Sequence, residues 1–522
     1  MLQNYNCLHT YLKAEGINID KEELIFQNKS HPNYPSLLSI SDTLSFFNIK
    51  NGVIKVAISE LELLPDRFVA FLKNEIGLYE LCLIEKSKEN YFFSQNGKKG
   101  IISKEEIENK WDNIVLLVEN SETENEVTND YLKKSLPLLT TVFFIYCILQ
   151  FGKTFEIKTF FIFSFIGLFL SAISLKDLFG IDGGFLQTIC DNKKTGTSCT
   201  TITSSKKWKI FNYVTFSDLS IIFFLFQFIG LFLFNLRNET AIFLYIQKAV
   251  LFSSIPILII SVYYQKFVEK KWCPVCLLTA LLLLAELYFL NLFSHDIVVV
   301  TKEIFFLGIT CFFAVSIGWF KLKKILVAQK DLKESSVKNN RFVRNYDIFK
   351  SVLLSNPKID VSVNNPIILG NKDANTEITL ITSPLCSFCK DAHLLIESLL
   401  DKYRDDLKVV MIIKVDIEKQ TEDYKWFYRK LMQNYLIEGE EVFTSALKHW
   451  FLTKNIDDFN AKDNFQIEIE KIDEIFNSQN DWCIENSIYS TPTILINGYP
   501  YPRPYEREIL EHFINDLLDD NF

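Results

Sequence analysis

The sequence predicts a multidomain membrane protein: an α/β domain first, an all-α membrane region next, and a second α/β domain last. Three observations predict it. A central block is almost continuously apolar, between charge-rich flanks at about 1–134 and 321–522. Both flanks carry short strand-like runs between helix-like segments. Three cysteine pairs, Cys190 with Cys199, Cys273 with Cys276 and Cys386 with Cys389, punctuate the second and third regions. The formal charge of -9 lies mostly in the flanks, and no basic stripe suggests nucleic acid. Eleven Cys against 6 His favour thiol chemistry over a His-rich metal site. The first residues, Met1-Leu2-Gln3-Asn4-Tyr5, have no apolar core, so no cleavable signal is expected.

Residues 1–120 read as the first domain. Leu8, Tyr11 and Leu12 recur at helical spacing, and Leu37, Leu38, Leu44 and Phe47 mark a second helix. Strand-like runs follow at 67–72, 78–84, 91–94 and 114–118, with a hairpin signal at Gln95-Asn96-Gly97. A linker at 121–135 leads to the membrane region, 136–320. Its apolar stretches are about 136–151, 159–178, 216–236, 241–264, 276–293 and 304–320. A spanning helix needs about 20 apolar residues; the first stretch is short and carries Gln150. A water-soluble helix would show a polar face, and these runs show almost none.

A Lys-rich linker, 321–360, precedes the last domain, 361–522. There a strand at 378–381 leads to Cys386-Ser387-Phe388-Cys389 and a helix through Tyr403. A strand at 407–415, a helical insertion at about 418–480, Thr491-Pro492 before a strand at 494–496, the turn Asn497-Gly498 and a terminal helix at 505–518 complete it. Cys-x2-Cys after a strand, with a distant Thr-Pro before another, is the context of a thioredoxin redox motif.

The thiolate attacks a disulfide, and a helix N-terminus lowers a thiol pKa. Cys386 is placed for that role, with Cys389 as its resolving partner. A cis bond at Thr491-Pro492 would set the Thr491 backbone beside an extended substrate. Two apolar helices separate Cys273 and Cys276 from Cys386 and Cys389, too far apart for a zinc pattern, so no metal is expected. Cys273-Pro274-Val275-Cys276 is either a packed pair of small residues or a membrane dithiol that passes electrons to a lipid-soluble quinone. Cys190 and Cys199 lie in a polar loop and form either a static disulfide or a shuttle. Exchange runs through mixed disulfides, so each sulfur must reach the next. Even numbers of spans separate the three pairs, which puts them on one side. Cys147 and Cys311, within apolar helices, read as packing residues, Cys82 sits in a strand-like run, and Cys483, beside Trp482, reads as buried rather than redox-active.

Cys190-x8-Cys199 followed by Ser205 and Trp208, then Cys-Pro-Val-Cys at a helix start, resembles the vitamin K epoxide reductase family. The thioredoxin-like domain fused behind it resembles the bacterial members. The resemblance implies a four-helix bundle around a quinone, menaquinone or ubiquinone, with extra helices tethering the thioredoxin domain. It implies a disulfide-forming oxidase for exported Cys-containing proteins, in the bacterial cytoplasmic membrane with the thioredoxin domain periplasmic. Electrons would pass from Cys386/Cys389 through Cys190/Cys199 to Cys273/Cys276. Cys276 would lie nearest the quinone, Cys273 would exchange with the loop, and Ser205 matches a serine near the quinone pocket. One signal disagrees: Lys193, Lys194, Lys206, Lys207 and Lys209 in the loop, and Lys321, Lys323 and Lys324, favour the cytoplasm by the positive-inside rule. Oxidative chemistry places them outside.

The first domain is similar to the papain-like cysteine peptidases that trim double-glycine leaders from bacteriocins, with Cys7 as the nucleophile. Such catalysis needs a His base and a group to orient it. Where the His belongs this chain has Leu78-Tyr79-Glu80-Leu81-Cys82, and where the Asp follows it has Ser94-Gln95-Asn96. The domain is therefore expected to be degenerate, its Cys7 thiol ordinary with a pKa of about 8.5. The alternative function is capture or cleavage of a secreted Cys-containing peptide by this domain.

Overall fold

The computed structural model describes residues 5–73, 79–87, 90–95, 98–119, 131–179, 214–268, 270–292, 301–459, 466–520 and 522. In the N-terminal domain, α1 (Tyr5–Ala14) buries Tyr5, Cys7, Leu8, Tyr11 and Leu12, the face its spacing predicts. After it come α2 (Lys21–Lys29) and α3 (Leu37–Phe46), the latter capped by the Ser36 side chain accepting the Ser39 N–H. Six antiparallel strands follow: β1 (Asn51–Lys55), β2 (Arg67–Lys73), β3 (Tyr79–Lys86), β4 (Tyr91–Gln95), β5 (Lys98–Ile102) and β6 (Trp111–Val118). Their order is β1-β6-β2-β3-β4-β5, and Gln95 pairs with Lys98 across the hairpin. A short helix, α4 (Lys104–Lys110), opens on a Ser103/Glu106 capping box. Alternation along β3 feeds two apolar layers: Leu81 and Leu83 pack with α1, while Cys82 and Ile84 pack with Phe68, Ile107 and Trp111.

Among the described residues six long helices follow: α5 (Tyr131–Phe151), α6 (Phe155–Ser174), α7 (Phe216–Leu236), α8 (Thr240–Tyr263), α9 (Pro274–Leu292) and α10 (Lys302–Val343). Five helices among the described residues are long and apolar enough to cross a membrane: α6, α7, α8 with the π-turn that extends it to Val268, α9 and α10. Among the described residues, the apolar part of α5 is the shorter run Leu139–Phe151. Close packing of α6 on α7 depends on Gly167, where a Cβ would stand 2.2 Å from the Phe224 ring. Deep between helices, the Gln227 amide donates to Glu286 (3.2 Å) and to the Phe160 carbonyl (3.3 Å), and Gln247 donates to Gln227 (2.9 Å). Asp218, in the first turn of α7, accepts from Thr215 N–H (2.8 Å), Trp319 Nε1 (3.0 Å) and Lys323 Nζ (2.5 Å). The stretch read as a linker from Lys321 is helical to Val343, because it holds strong helix formers and neither Gly nor Pro.

Phe349 and Leu353 of α11 (Tyr346–Leu354) belong to the core of the C-terminal domain. The sheet there comprises β7 (Ile367–Gly370), β8 (Thr376–Thr382), β9 (Leu407–Ile413), β10 (Thr493–Ile496) and β11 (Tyr499–Pro500), in the order β11-β10-β8-β9-β7. β8 and β9 are parallel, Ile378 opposite Val409, joined by α12 (Cys389–Tyr403). The insertion forms α13 (Glu422–Gln433), α14 (Glu440–Thr453) and α15 (Ile469–Glu485). Asn497 and Gly498 turn the chain at φ 49° and 85°. A 3-10 turn (Arg507–His512) and α16 (Ile514–Asp519) stand where one terminal helix was expected.

Candidate redox-active site

The soluble dithiol sits at the carboxyl end of β8. The Cys386 N–H closes a turn on the Ser383 carbonyl (2.9 Å), and α12 begins three residues later at Cys389. Cys386 is half-buried and its sulfur lies 3.4 Å from the Thr491 carbonyl. The Thr491–Pro492 bond is cis. Burial raises the Cys386 pKa, but hydrogen bonds from the Thr491 and Cys389 side chains and the Phe388 and Cys389 N–H groups outweigh it, and the thiol falls below its ordinary value. Cys389 is fully buried, and burial holds its thiol above the ordinary value despite the Thr382 hydroxyl and the Ser383 N–H (3.5 Å). The pair thus combines a half-buried thiol with a lowered pKa and a buried thiol with a raised one. Leu385, Phe388 and Tyr489 are exposed around it, an apolar rim suited to a polypeptide.

Sequence reasoning missed four contributors. Trp450 Nε1 (2.8 Å) and Lys454 Nζ (3.1 Å) both donate to the Pro384 carbonyl, so the insertion braces the redox turn. The Lys454 cation interacts electrostatically with both sulfurs. Thr382 and His393, 2.8 Å apart, lie behind Cys389. Only His393 carried a signal, being one helical turn after Cys389.

The membrane dithiol opens α9. Cys273 exposes no surface and packs with Ile173, Val275, Phe216 and Tyr264. Its N–H donates to Gln265 Oε1 (3.0 Å), and its sulfur accepts the Cys276 N–H (3.2 Å), one of the unpaired donors at a helix start. Cys276 lines a cavity of about 510 Å³ walled by Phe216, Phe226, Leu283 and Phe312, with the hydroxyls of Ser220 and Thr279 among them. Its size and mainly apolar surface fit a quinone ring, and further serine hydroxyls join Ser220 and Thr279 in its lining. Cys190, Cys199 and Ser205 lie outside the described residues.

In the first domain Cys7 is 4% exposed. Burial first, then neighbouring Cys82, push its thiol far above the ordinary value, against a hydrogen bond from the Leu83 N–H. The expectation of an ordinary thiol is corrected accordingly: Cys7 packs into the layer between α1 and the sheet. His9 is bonded to the Ile19 carbonyl (3.2 Å). Leu78 and Asn96, two of the positions that mark degeneracy, lie outside the described residues.

Residues 158–290 match the vitamin K epoxide reductase family. Residues 362–516 match a thioredoxin family and 5–123 the peptidase C39 family. The chain joins these three domain types, in that order along the sequence: peptidase C39, vitamin K epoxide reductase, thioredoxin. The combination of the last two marks a thiol–disulfide oxidoreductase. Among solved structures, oxidised BdbD from Bacillus subtilis is 14% identical, over 32% of this chain and 98% of its own, at a TM-score of 0.26. DsbA2 of Pseudomonas aeruginosa is 16% identical over 30% and 98%, TM-score 0.23. The peptidase domain of Streptococcus ComA is 14% identical over 23% and 96%, TM-score 0.21. A comparison with curated proteins returned no match.

Proposed function

We propose that this protein forms disulfides in exported Cys-containing proteins and passes the electrons to a membrane quinone. The observation that carries the reading is the cavity lined by Cys276 beside the buried sulfur of Cys273. A substrate thiolate attacks Cys386 of the oxidised pair, and Cys389 leaves. A second substrate thiol displaces Cys386, which releases an oxidised substrate and a reduced pair. The Cys386 thiolate then attacks the Cys190–Cys199 disulfide, Cys389 resolves the mixed disulfide, and the loop dithiol reduces Cys273–Cys276. Each exchange moves one electron pair between sulfurs, the displaced sulfur leaving as thiolate. A quinone beside Cys276 supplies the terminal acceptor for two electrons and two protons. Phe216, Phe226 and Phe312 would hold its ring and the hydroxyls of Ser220 and Thr279 its polar edge.

Thr491 and Pro492 would align the substrate backbone, and Ser205 remains a candidate at the quinone pocket. The domain at 1–120 would hold the exported peptide, because Cys7 is too deeply buried to cut it. The test is purified protein in lipid with a reduced peptide, with or without a double-glycine leader, and a quinone analogue. Cys276→Ala should abolish quinone reduction while the Cys386 thiol still reacts, and full turnover by that variant would refute the relay. The leader should speed oxidation and stay uncut; equal rates without it would remove the first domain from the reading.

A further inference from the structure

Cys389 exposes no surface, yet exchange requires it to become a thiolate when it attacks and to regain a proton once displaced. The Thr382 hydroxyl, at the end of β8, stands 2.8 Å from His393 Nε2; it also lowers the Cys389 thiol pKa, and the N–H of the next residue, Ser383, lies 3.5 Å from that sulfur. His393 lies four residues after Cys389 on α12, its ring against Phe451 of α14 at a centroid distance of 4.8 Å. On its other side His393 lines a cleft of about 340 Å³ between α12 and α14. Thr382 and His393 therefore stand in series between the buried sulfur and the cleft.

We propose that Thr382 and His393 are the proton path of Cys389, a role that rests on Cys386 and Cys389 being the exchanging pair. When Cys389 attacks, its S–H proton passes to Thr382 Oγ1 while the Thr382 O–H proton passes to His393 Nε2. The Cys389 sulfur bonds to that of Cys386, the bond to the partner sulfur breaks, and the electron pair leaves on the partner, which takes a proton from water. His393 releases its proton to the cleft. When Cys389 is the leaving group the chain runs backwards. Both are positioning residues, since neither touches the partner sulfur.

The charged groups around the ring and its cleft are Lys390, Glu397, Asp401 and Arg404 on or just after α12 and Glu441, Lys448 and Lys454 on or just after α14, with Cys389 behind Thr382. Lys448 and Glu397 pair with each other. Burial, and then Lys454, hold the His393 pKa down to about 4, so the ring is neutral at neutral pH and does not retain the proton it receives.

The test uses the full chain with Cys190, Cys199, Cys273 and Cys276 replaced by Ala, mixed with 5,5′-dithiobis(2-nitrobenzoate). Attack by Cys386 releases the first thionitrobenzoate and attack by Cys389 the second. His393→Gln should slow the second release at least about tenfold and leave the first within about twofold. In that variant the second release should rise about tenfold per pH unit between about pH 6 and 8, as for a hydroxide-dependent step, with a flatter wild-type profile. Thr382→Val should behave likewise, and Thr382→Ser should restore the rate. An unchanged second release in His393→Gln and Thr382→Val, or equal slowing of both releases, would overturn the path. Cys389→Ala separates the two ideas: if it keeps the second release, the exchanging pair itself is wrong.

Discussion

Cys386 and Cys389 stand three residues apart and are driven in opposite directions, Cys389 by burial and Cys386 by donors that outweigh burial. Because the folded state depresses the Cys386 pKa, the reduced domain gains stability that is complete above the unfolded thiol pKa. That stability is lost as pH falls through the lower folded value. Exposed Lys454 interacts electrostatically with both thiols, with Cys389 before Cys386. Lys454→Met should slow alkylation of Cys386 near pH 6 roughly threefold, the equivalent of ~0.6 kcal/mol for such a pair; an unaltered rate in a pH-resolved alkylation assay would assign the effect to the backbone donors alone. The sequence made Cys386, Cys389, Thr491 and Pro492 legible because each belongs to a local spacing. Trp450 and Lys454 were not, because they reach Pro384 from 66 and 70 residues away. No periodicity encodes such a contact.

Helices read well where apolar length decided them: Phe216–Leu236 was read to the residue. The strands β2, β3, β4 and β6 were visible as apolar runs. β1 and β5 were not, because they are the edges of their sheet and carry Asn, Lys and Gly. Helix α10 was cut short at Phe320 because hydropathy, not helix propensity, drew its end. The packing of α6 on α7 was illegible, since a glycine inside an apolar run gives no sign of what it faces. Gly167→Ala should destabilise the helix bundle by about 1–3 kcal/mol, the usual cost of forcing atoms into a filled contact. Thermal unfolding in detergent would measure it, and an unchanged midpoint would mean that the Phe224 ring yields freely.

Across the whole chain, α7 and α8 lie between the loop cysteines and Cys273, and α9 and α10 between Cys276 and Cys386. Two crossings in each interval would return all three pairs to one face, whether or not α5 inserts. Of the lysines that argue for the cytoplasm, Lys323 is paired with fully buried Asp218, which weakens that signal in the folded protein. In intact spheroplasts a membrane-impermeant thiol reagent should label reduced Cys386 to at least about half the extent seen after lysis, given its exposure and thiolate character. Labelling only after lysis would place the dithiol in the cytosol and exclude a role in exported disulfides.

The burial of Cys273 has a consequence for fidelity. Cys386 meets solvent, whereas Cys273 exposes none of its surface and Cys276 opens onto a cavity among helices. A small soluble thiol can collide with the first and not with the second. In the proposed relay the membrane dithiol would behave as an insulated conductor, reached through a sulfur delivered by protein, so that bystander thiols would not short-circuit the quinone pool.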